Sequence, residues 1–236
     1  MYGWRARLGL IVPSLNTTAE PEFAAPLPDG VSVHTARLKL DAGTTDELRD
    51  MTAELDPCLD RLGTANPDAV ALGCTTSSIL NGPEDLEARM TDRLGVPSVT
   101  TAASLGRALD ALGAARIAVV TPYVDELNAI EREYLEECGF EVVAFDGLGI
   151  EAGQTIGERF PEQAYRQARA VDTNDAEALV ISCANYRTRE IVPQLEADIG
   201  LPVVTSNSAT LWDVIRHVDI DQSRINGGML FEKAEA

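Results

Sequence analysis

Two of the four cysteines stand in matching surroundings. Cys74 closes the run Asp68-Ala69-Val70-Ala71-Leu72-Gly73-Cys74-Thr75, and Cys183 closes Glu177-Ala178-Leu179-Val180-Ile181-Ser182-Cys183-Ala184, 109 residues later. A thiol directly after an apolar strand and ahead of a polar, helix-starting turn is placed for nucleophilic or acid–base chemistry. Backbone N–H groups at a helix start lower a thiol's pKa and also hold carboxylates. The alternative for either residue is a small buried apolar side chain. Thr75, Thr76, Ser77 and Ser78 put hydroxyls beside the first thiol; Asn185 and Arg187 put an amide and a guanidinium beside the second. Arg187 has the geometry to grip a carboxylate in two places, and is equally a solvated first-turn residue. Asn16 follows the first apolar run, with Thr17 and Thr18, and Tyr123 follows its counterpart. Neutral donors of this kind suit a carboxylate whose charge grows in a transition state. Asn16 also fits a turn or cap. Cys58 and Cys138 have no such echo and read as packing residues.

The elements that carry these residues alternate. Apolar runs of strand length lie at 8–12, 31–35, 69–73, 98–100, 117–121, 141–145, 179–182 and 203–205. Helical spacing appears over 45–62, 84–94, 125–138, 161–171 and 189–199. Strand–helix alternation predicts parallel sheets with covered faces. The second half repeats the first. Arg7-Leu8-Gly9-Leu10-Ile11-Val12-Pro13 returns at an offset of 109 as Arg116-Ile117-Ala118-Val119-Val120-Thr121-Pro122, and Leu94–Thr100 returns at 105 as Ile199–Thr205. The period is too long for a solenoid and marks a duplicated half-domain. The expected fold is α/β: two pseudo-symmetric Rossmann-like, flavodoxin-like halves with parallel sheets and a cleft between them. The halves run over 1–108 and 109–207, with a C-terminal helix over 208–236 packing back on the first. Residues just past the C-terminal strand ends line such a cleft, so the symmetry predicts two facing thiols.

Composition narrows the partners. The 236 residues carry 38 acidic and 19 basic side chains, a formal charge of −19, and only two of the cations are lysines, Lys39 and Lys233. Nucleic acid and anionic membrane surfaces are disfavoured, because both need clustered cations. Carboxylate excess with few lysines also fits a saline cytoplasm. No run approaches the ~20 apolar residues of a membrane span, and the first residues lack a signal-peptide pattern, so a cytoplasmic protein is expected. With two histidines, His34 and His217, and no CxxC pair, no metal site is expected. No glycine-rich phosphate loop occurs either.

These motifs, in this order, resemble the aspartate/glutamate racemase superfamily, in the branch of the maleate cis–trans isomerases and arylmalonate decarboxylases. The residues that carry the resemblance are Gly9-Leu10-Ile11-Val12-Pro13-Ser14-Leu15-Asn16-Thr17-Thr18 with Glu20, Gly73-Cys74-Thr75-Thr76-Ser77, Thr121-Pro122-Tyr123 with Leu127-Asn128, and Ser182-Cys183-Ala184-Asn185. The cysteine pair points to isomerase or racemase, since the decarboxylases keep only the second one. The resemblance implies a cofactor-free isomerisation of maleate or a related small dicarboxylate. Cys74 would add to the double bond, Cys183 would act as acid and base, and the succinyl-type adduct would rotate and eliminate. Asn16, Tyr123 and Asn185, with N–H groups near Thr75, Thr76 and Ala184, would bind carboxylates. The isomerases carry an asparagine in a loop where this chain reads Gly153-Gln154, a departure at the second carboxylate grip. An amino-acid racemase using two cysteines, and a non-catalytic small-acid binding protein, are the alternatives. A homo-oligomer, dimer or tetramer, is expected.

Overall fold

A computed structural model describes residues 2–221 and 225–233. The first half runs β1 (Ala6–Pro13), α1 (Ala19–Ala24), β2 (Val31–Leu38), α2 (Thr45–Asp50), α3 (Leu55–Gly63), β3 (Ala69–Leu72), α4 (Thr75–Leu80), α5 (Pro83–Leu94), β4 (Ser98–Thr100) and α6 (Thr101–Leu112). The second runs β5 (Arg116–Thr121), α7 (Asp125–Glu137), β6 (Glu141–Gly147), α8 (Gly153–Gly157), α9 (Pro161–Ala170), β7 (Ala178–Ile181), α10 (Val192–Ile199) and β8 (Val203–Thr205). Two helices, α11 (Ser206–Ile215) and α12 (Met229–Lys233), follow.

The strands form two four-stranded parallel sheets, ordered β2-β1-β3-β4 and β6-β5-β7-β8. The repeat seen in the sequence is also a repeat of register: Leu8 pairs with Ala69 and Ile117 with Ala178, each shifted by the same offset. The strand order reverses direction between β1 and β3, and between β5 and β7. A crevice opens at such a switch point, beyond the carboxyl ends of the strands. Both cysteines sit there.

Strands buried on both faces need two apolar layers. Along β1, Leu8, Leu10 and Val12 enter a core shared by both sheets with α6, α11 and α12. Ile11, on the other face, packs with Val70 and Leu72 of β3 and with α3 and α5. α6 and α11 lie side by side between the halves, and α11 also packs on β3 and β4. The Asp213 carboxylate, buried on α11, ties them together by accepting from Ser104 Oγ at 2.9 Å and Arg107 at 2.8 Å.

Three predicted helices differ from those observed. The stretch 45–62 is two helices separated by a 3-10 turn over Met51–Glu54. Pro57 cannot donate its missing N–H within a continuous helix, but fits the first turn of a new one. The same reasoning applies at Pro193: Arg189–Ile191 is a 3-10 turn and α10 begins at Val192. Among the described residues the helix expected over 208–236 is the pair α11 and α12, and residues 216–221 and 225–228, with Gly227 and Gly228, are not helical. Residues 222–224 and 234–236 of that expectation lie outside the described residues. Among the described residues no helix is long and apolar enough to cross a membrane.

Candidate active site

Cys74 and Cys183 both line one cavity of about 250 Å³ between the halves, and Asn16, Thr75, Thr76, Tyr123, Ala184 and Asn185 line it with them. The sequence-predicted set therefore converges. The two thiols lie close enough that Cys183 adds to the upward push on the Cys74 pKa.

The two cysteines are not equivalent in conformation. Cys74 is extended, with φ −149°, and is the N-cap of α4. Cys183 has φ +93°, a backbone region that L side chains rarely occupy. No helix starts directly after it, contrary to the expectation for this position; its turn closes through the Tyr186 N–H donating to the Cys183 carbonyl at 3.0 Å. Such strain persists only where surroundings enforce it. Here the Cys183 N–H donates to Ser206 Oγ at 3.0 Å, and the Asn185 N–H reaches the Cys183 sulfur at 3.4 Å.

The first half holds this turn from outside. Asn185 Oδ1 accepts from the Thr17 N–H at 2.9 Å, its Nδ2 donates to the Gly153 carbonyl at 3.0 Å, and its own carbonyl accepts from Thr18 Oγ1 at 3.0 Å. Glu22, on α1, accepts from the N–H groups of Thr188 at 2.7 Å and Arg189 at 2.9 Å, and from Asn207 Nδ2 at 2.7 Å. Asn207 in turn donates to the Ala184 carbonyl. Asn185 is thus a bridge between the halves more than a free donor.

Asn16 divides its amide. Oδ1 accepts from the N–H groups of Thr18 and Ala19, both at 2.9 Å, which starts α1. Its Nδ2 has no protein partner among the described residues and is left for the cavity. Tyr123 is buried, with its hydroxyl against Thr76 and the Cys183 thiol. Its loop is fixed by Asn128, whose Oδ1 accepts from Thr121 Oγ1 at 2.5 Å and whose Nδ2 donates to the Tyr123 carbonyl at 3.1 Å. This explains why Asn128 belongs to the same motif.

Burial decides the resting charge of the site. It pushes Cys74 up to about 12, against the Ser77 N–H that favours the thiolate. It pushes Cys183 up to about 11, against Tyr123 and the Asn185 N–H. The expectation of lowered thiol pKa values fails because α4 is short and desolvation in the cleft outweighs its N–H groups. Among the described residues no arginine or lysine lines the cavity.

Arg187 does not enter the cavity; it turns to the surface and pairs with Glu190 Oε1. His34 bonds Ser32 on β2, and neither histidine lines the cavity. Cys58 is a core residue, as expected, but Cys138 is exposed where α7 ends and does not pack. Among the described residues no group of three His, Cys, Asp or Glu side chains stands together as a metal site would require. At the second grip, Gly153 lies so close to the chain that a Cβ would meet the Ala42 carbonyl at 3.0 Å and Leu15 at 3.3 Å. Gln154 turns away and donates to the Asp41 carbonyl. Away from the thiols the cavity lining is mostly apolar, with Leu15, Leu40, Leu48, Leu127 and Ile156 beside the hydroxyls of Thr44 and Thr45. Glu126 and Glu151 stand exposed at the mouth, where Thr45 Oγ1 donates to Glu126 across the cleft at 2.5 Å.

Sequence reasoning passed over Glu22, Glu131, Ser206 and Asn207. Two signals mark the glutamates: they are separated by the cysteines' own offset of 109, and Glu131 falls between Leu127 and Leu135 at helical spacing.

Comparison with known proteins agrees with this geometry. The family model for arylmalonate decarboxylase matches residues 8–231. The maleate isomerase of Pseudomonas putida is 29% identical over 244 residues, covering 97% of this chain and 98% of that protein. The crystal structure of a maleate isomerase variant from Pseudomonas putida S16 with maleate superposes with a TM-score of 0.92 at 27% identity, covering 97% and 98% of the two chains. A Nocardia farcinica maleate cis–trans isomerase variant holding a covalently bound succinylcysteine intermediate gives a TM-score of 0.90 at 26% identity over 96% and 98%. This chain belongs to the arylmalonate decarboxylase family, in the branch its motifs resemble.

Proposed function

We propose that this protein isomerises maleate, or a closely related cis-dicarboxylate, to the trans form with Cys74 as nucleophile and Cys183 as acid and base. The observation that carries the reading is the pair of cysteines opening on one cavity where the polar groups beside the thiols are neutral and the two carboxylates, Glu126 and Glu151, stand exposed at its mouth. In the reactive state the pair carries one negative charge. The Cys74 thiolate forms a bond to one alkene carbon, while Cys183 gives its proton to the other. The alkene becomes a single bond that can rotate. The Cys183 thiolate then removes that proton, the double bond re-forms, and the Cys74–carbon bond breaks with its electrons returning to sulfur. Atoms and charge balance, and the scheme needs no cofactor.

Burial favours the neutral form of both thiols, so the pair must lose a proton before Cys74 can attack. Asn16 Nδ2, the Tyr123 hydroxyl and the N–H groups of the Cys74 and Cys183 turns supply donors for the carboxylate nearest the thiols. The apolar wall at Gly153 supports a substrate whose second carboxylate is gripped less fully than an asparagine there would allow. A cytoplasmic homo-oligomer remains part of this reading. Incubation with maleate, followed by proton NMR, tests it: fumarate should accumulate, and Cys74→Ala and Cys183→Ala should each lower turnover at least a thousandfold. Racemisation of aspartate or glutamate without fumarate would replace the reading with a two-thiol racemase. Tight dicarboxylate binding without any turnover would make the protein a binding module.

A further inference from the structure

Two of the buried glutamates, Glu22 and Glu131, occupy equivalent places in the repeat and live in opposite environments. Glu22, on α1, makes three hydrogen bonds to the Cys183 turn and Asn207. Glu131, on α7, is fully buried, and neither of its oxygens has a hydrogen-bond partner in good geometry. A buried carboxylate without partners or a counter-charge is costly, and such a group stays protonated instead.

No cation faces it. α4, packed against α7, contributes only Thr75, Thr76, Ser77, Ser78, Ile79 and Leu80. β6 brings Glu141 and Asp146, and Asp146 accepts from Gln167. On its own helix, Arg132 bonds Glu136 and lies over Phe145, while Asp125, Glu126, Glu133 and Glu137 add only negative charge. The groups that feel Glu131 are Cys183 and Tyr123, and the polar atom beside it is the Ser182 hydroxyl.

Ser182 opens a line of hydroxyls. Its Oγ lies 3.5 Å from Ser206 Oγ, which lies 2.9 Å from Thr75 Oγ1 at the cavity wall. Ser206 Oγ already accepts the Cys183 N–H. Each hydroxyl has a single proton, so the direction of the line is set at its end.

We propose that Glu131 is a positioning residue: a neutral carboxylic acid that, by a turn of its carboxyl toward the neighbouring Ser182 hydroxyl, donates to it and so orients the Ser182–Ser206–Thr75 hydroxyls to leave the Thr75 proton facing the substrate carboxylate. Ser182 then donates to Ser206 and Ser206 to Thr75. If Glu131 ionises, Ser182 donates to it instead, Ser206 turns to Ser182, and Thr75 turns to Ser206. The cavity loses a donor and gains a lone pair, and the new charge opposes formation of the Cys183 thiolate. Burial places this ionisation near neutrality, at about 7.

This inference rests on the isomerase reading for its kinetic arm only. Glu131→Gln keeps an amide N–H donor toward Ser182 and cannot ionise. The ratio of its kcat/KM to that of wild type should rise at least tenfold between about pH 6 and pH 8.5, the change expected when a group of pKa near 7 leaves its active form. A ratio constant with pH overturns the proposal. The second arm needs no substrate and uses wild-type protein: infrared difference spectra should show a buried protonated carboxyl band that disappears as pH rises through neutrality. Persistence of the band to pH 9, or its absence at pH 5, also overturns it. If wild type and Glu131→Gln both fail to convert maleate while the band behaves as expected, the substrate assignment is rejected and the neutral, titrating Glu131 that the proposal requires stands.

Discussion

Replacing Glu22 by alanine measures how firmly the first half holds the Cys183 turn. The carboxylate accepts three hydrogen bonds, at 2.7, 2.9 and 2.7 Å. Each bond to a charged group contributes about 1.5–3 kcal/mol, and each donor left buried without a partner costs about 1–3 kcal/mol. Two effects reduce the total. A cavity of about 30 Å³ adjoins the side chain, and with the vacated volume it admits water that re-pairs one or two donors. Burial also raises the Glu22 pKa, so removing the carboxylate relieves a desolvation cost. The balance is a loss of about 2–4 kcal/mol, a large share of the ~5–15 kcal/mol that holds a domain folded. Urea denaturation should show a lower midpoint at unchanged slope. Glu22→Gln keeps an acceptor for both backbone donors and should lose only about 1 kcal/mol. Because Cys183 sits in a strained conformation that this clamp helps enforce, kcat of Glu22→Ala should fall at least tenfold. A midpoint within about 0.5 kcal/mol of wild type, with kcat unchanged, would refute the clamp.

Other outcomes follow from the same geometry. Arg187→Ala should leave KM within about twofold of wild type, because its pair with Glu190 lies at the surface and such pairs contribute about 0–1 kcal/mol. Stability should fall as pH rises from about 4.5 towards 7 by roughly 3 kcal/mol on account of Glu131, whose folded pKa of about 7 exceeds the ordinary 4.5. The sign is that of a raised group: its contribution is complete below the unfolded pKa and lost as pH passes the folded one. Glu131→Gln should remove this slope in pH-dependent urea titrations. KM for a dicarboxylate should fall severalfold as ionic strength rises from about 0.01 M to 1 M, since salt shortens the Debye length from about 30 Å to 3 Å and screens the −19 charge and the Glu126 and Glu151 mouth. A KM indifferent to salt would assign capture wholly to local donors.

The repeat made most of the fold legible. An offset shared by Arg7 and Arg116, and by Cys74 and Cys183, fixes two equivalent sheets, and parallel pairing then brings both thiols to one crevice. Helix ends were less legible where proline acts locally, at Pro57 and Pro193, because the apolar spacing continues across the break. The site's polar residues were legible by place, but their division of labour was not. Asn185 looks like a substrate donor in sequence, yet its side chain is committed to Thr17 and Gly153, partners 168 and 32 residues away. Arg187 looks like a carboxylate grip, but the Cys183 turn sends it outward. The thiol pKa values went the other way from the helix-start argument because desolvation depends on full enclosure, a property of the assembled cleft. Glu22 and Glu131 were hidden for the same reason: a glutamate in an amphipathic stretch reads as solvated until the packing around it is known.

The central claim is that Cys74 attacks the alkene while Cys183 moves the proton. Intact and peptide mass spectrometry of Cys183→Ser incubated with maleate addresses it most directly. The account predicts a stable added mass of one maleic acid molecule, carried by the peptide that contains Cys74 and absent when Cys74 is also replaced by alanine. An adduct on another cysteine, or none with maleate bound, would contradict it.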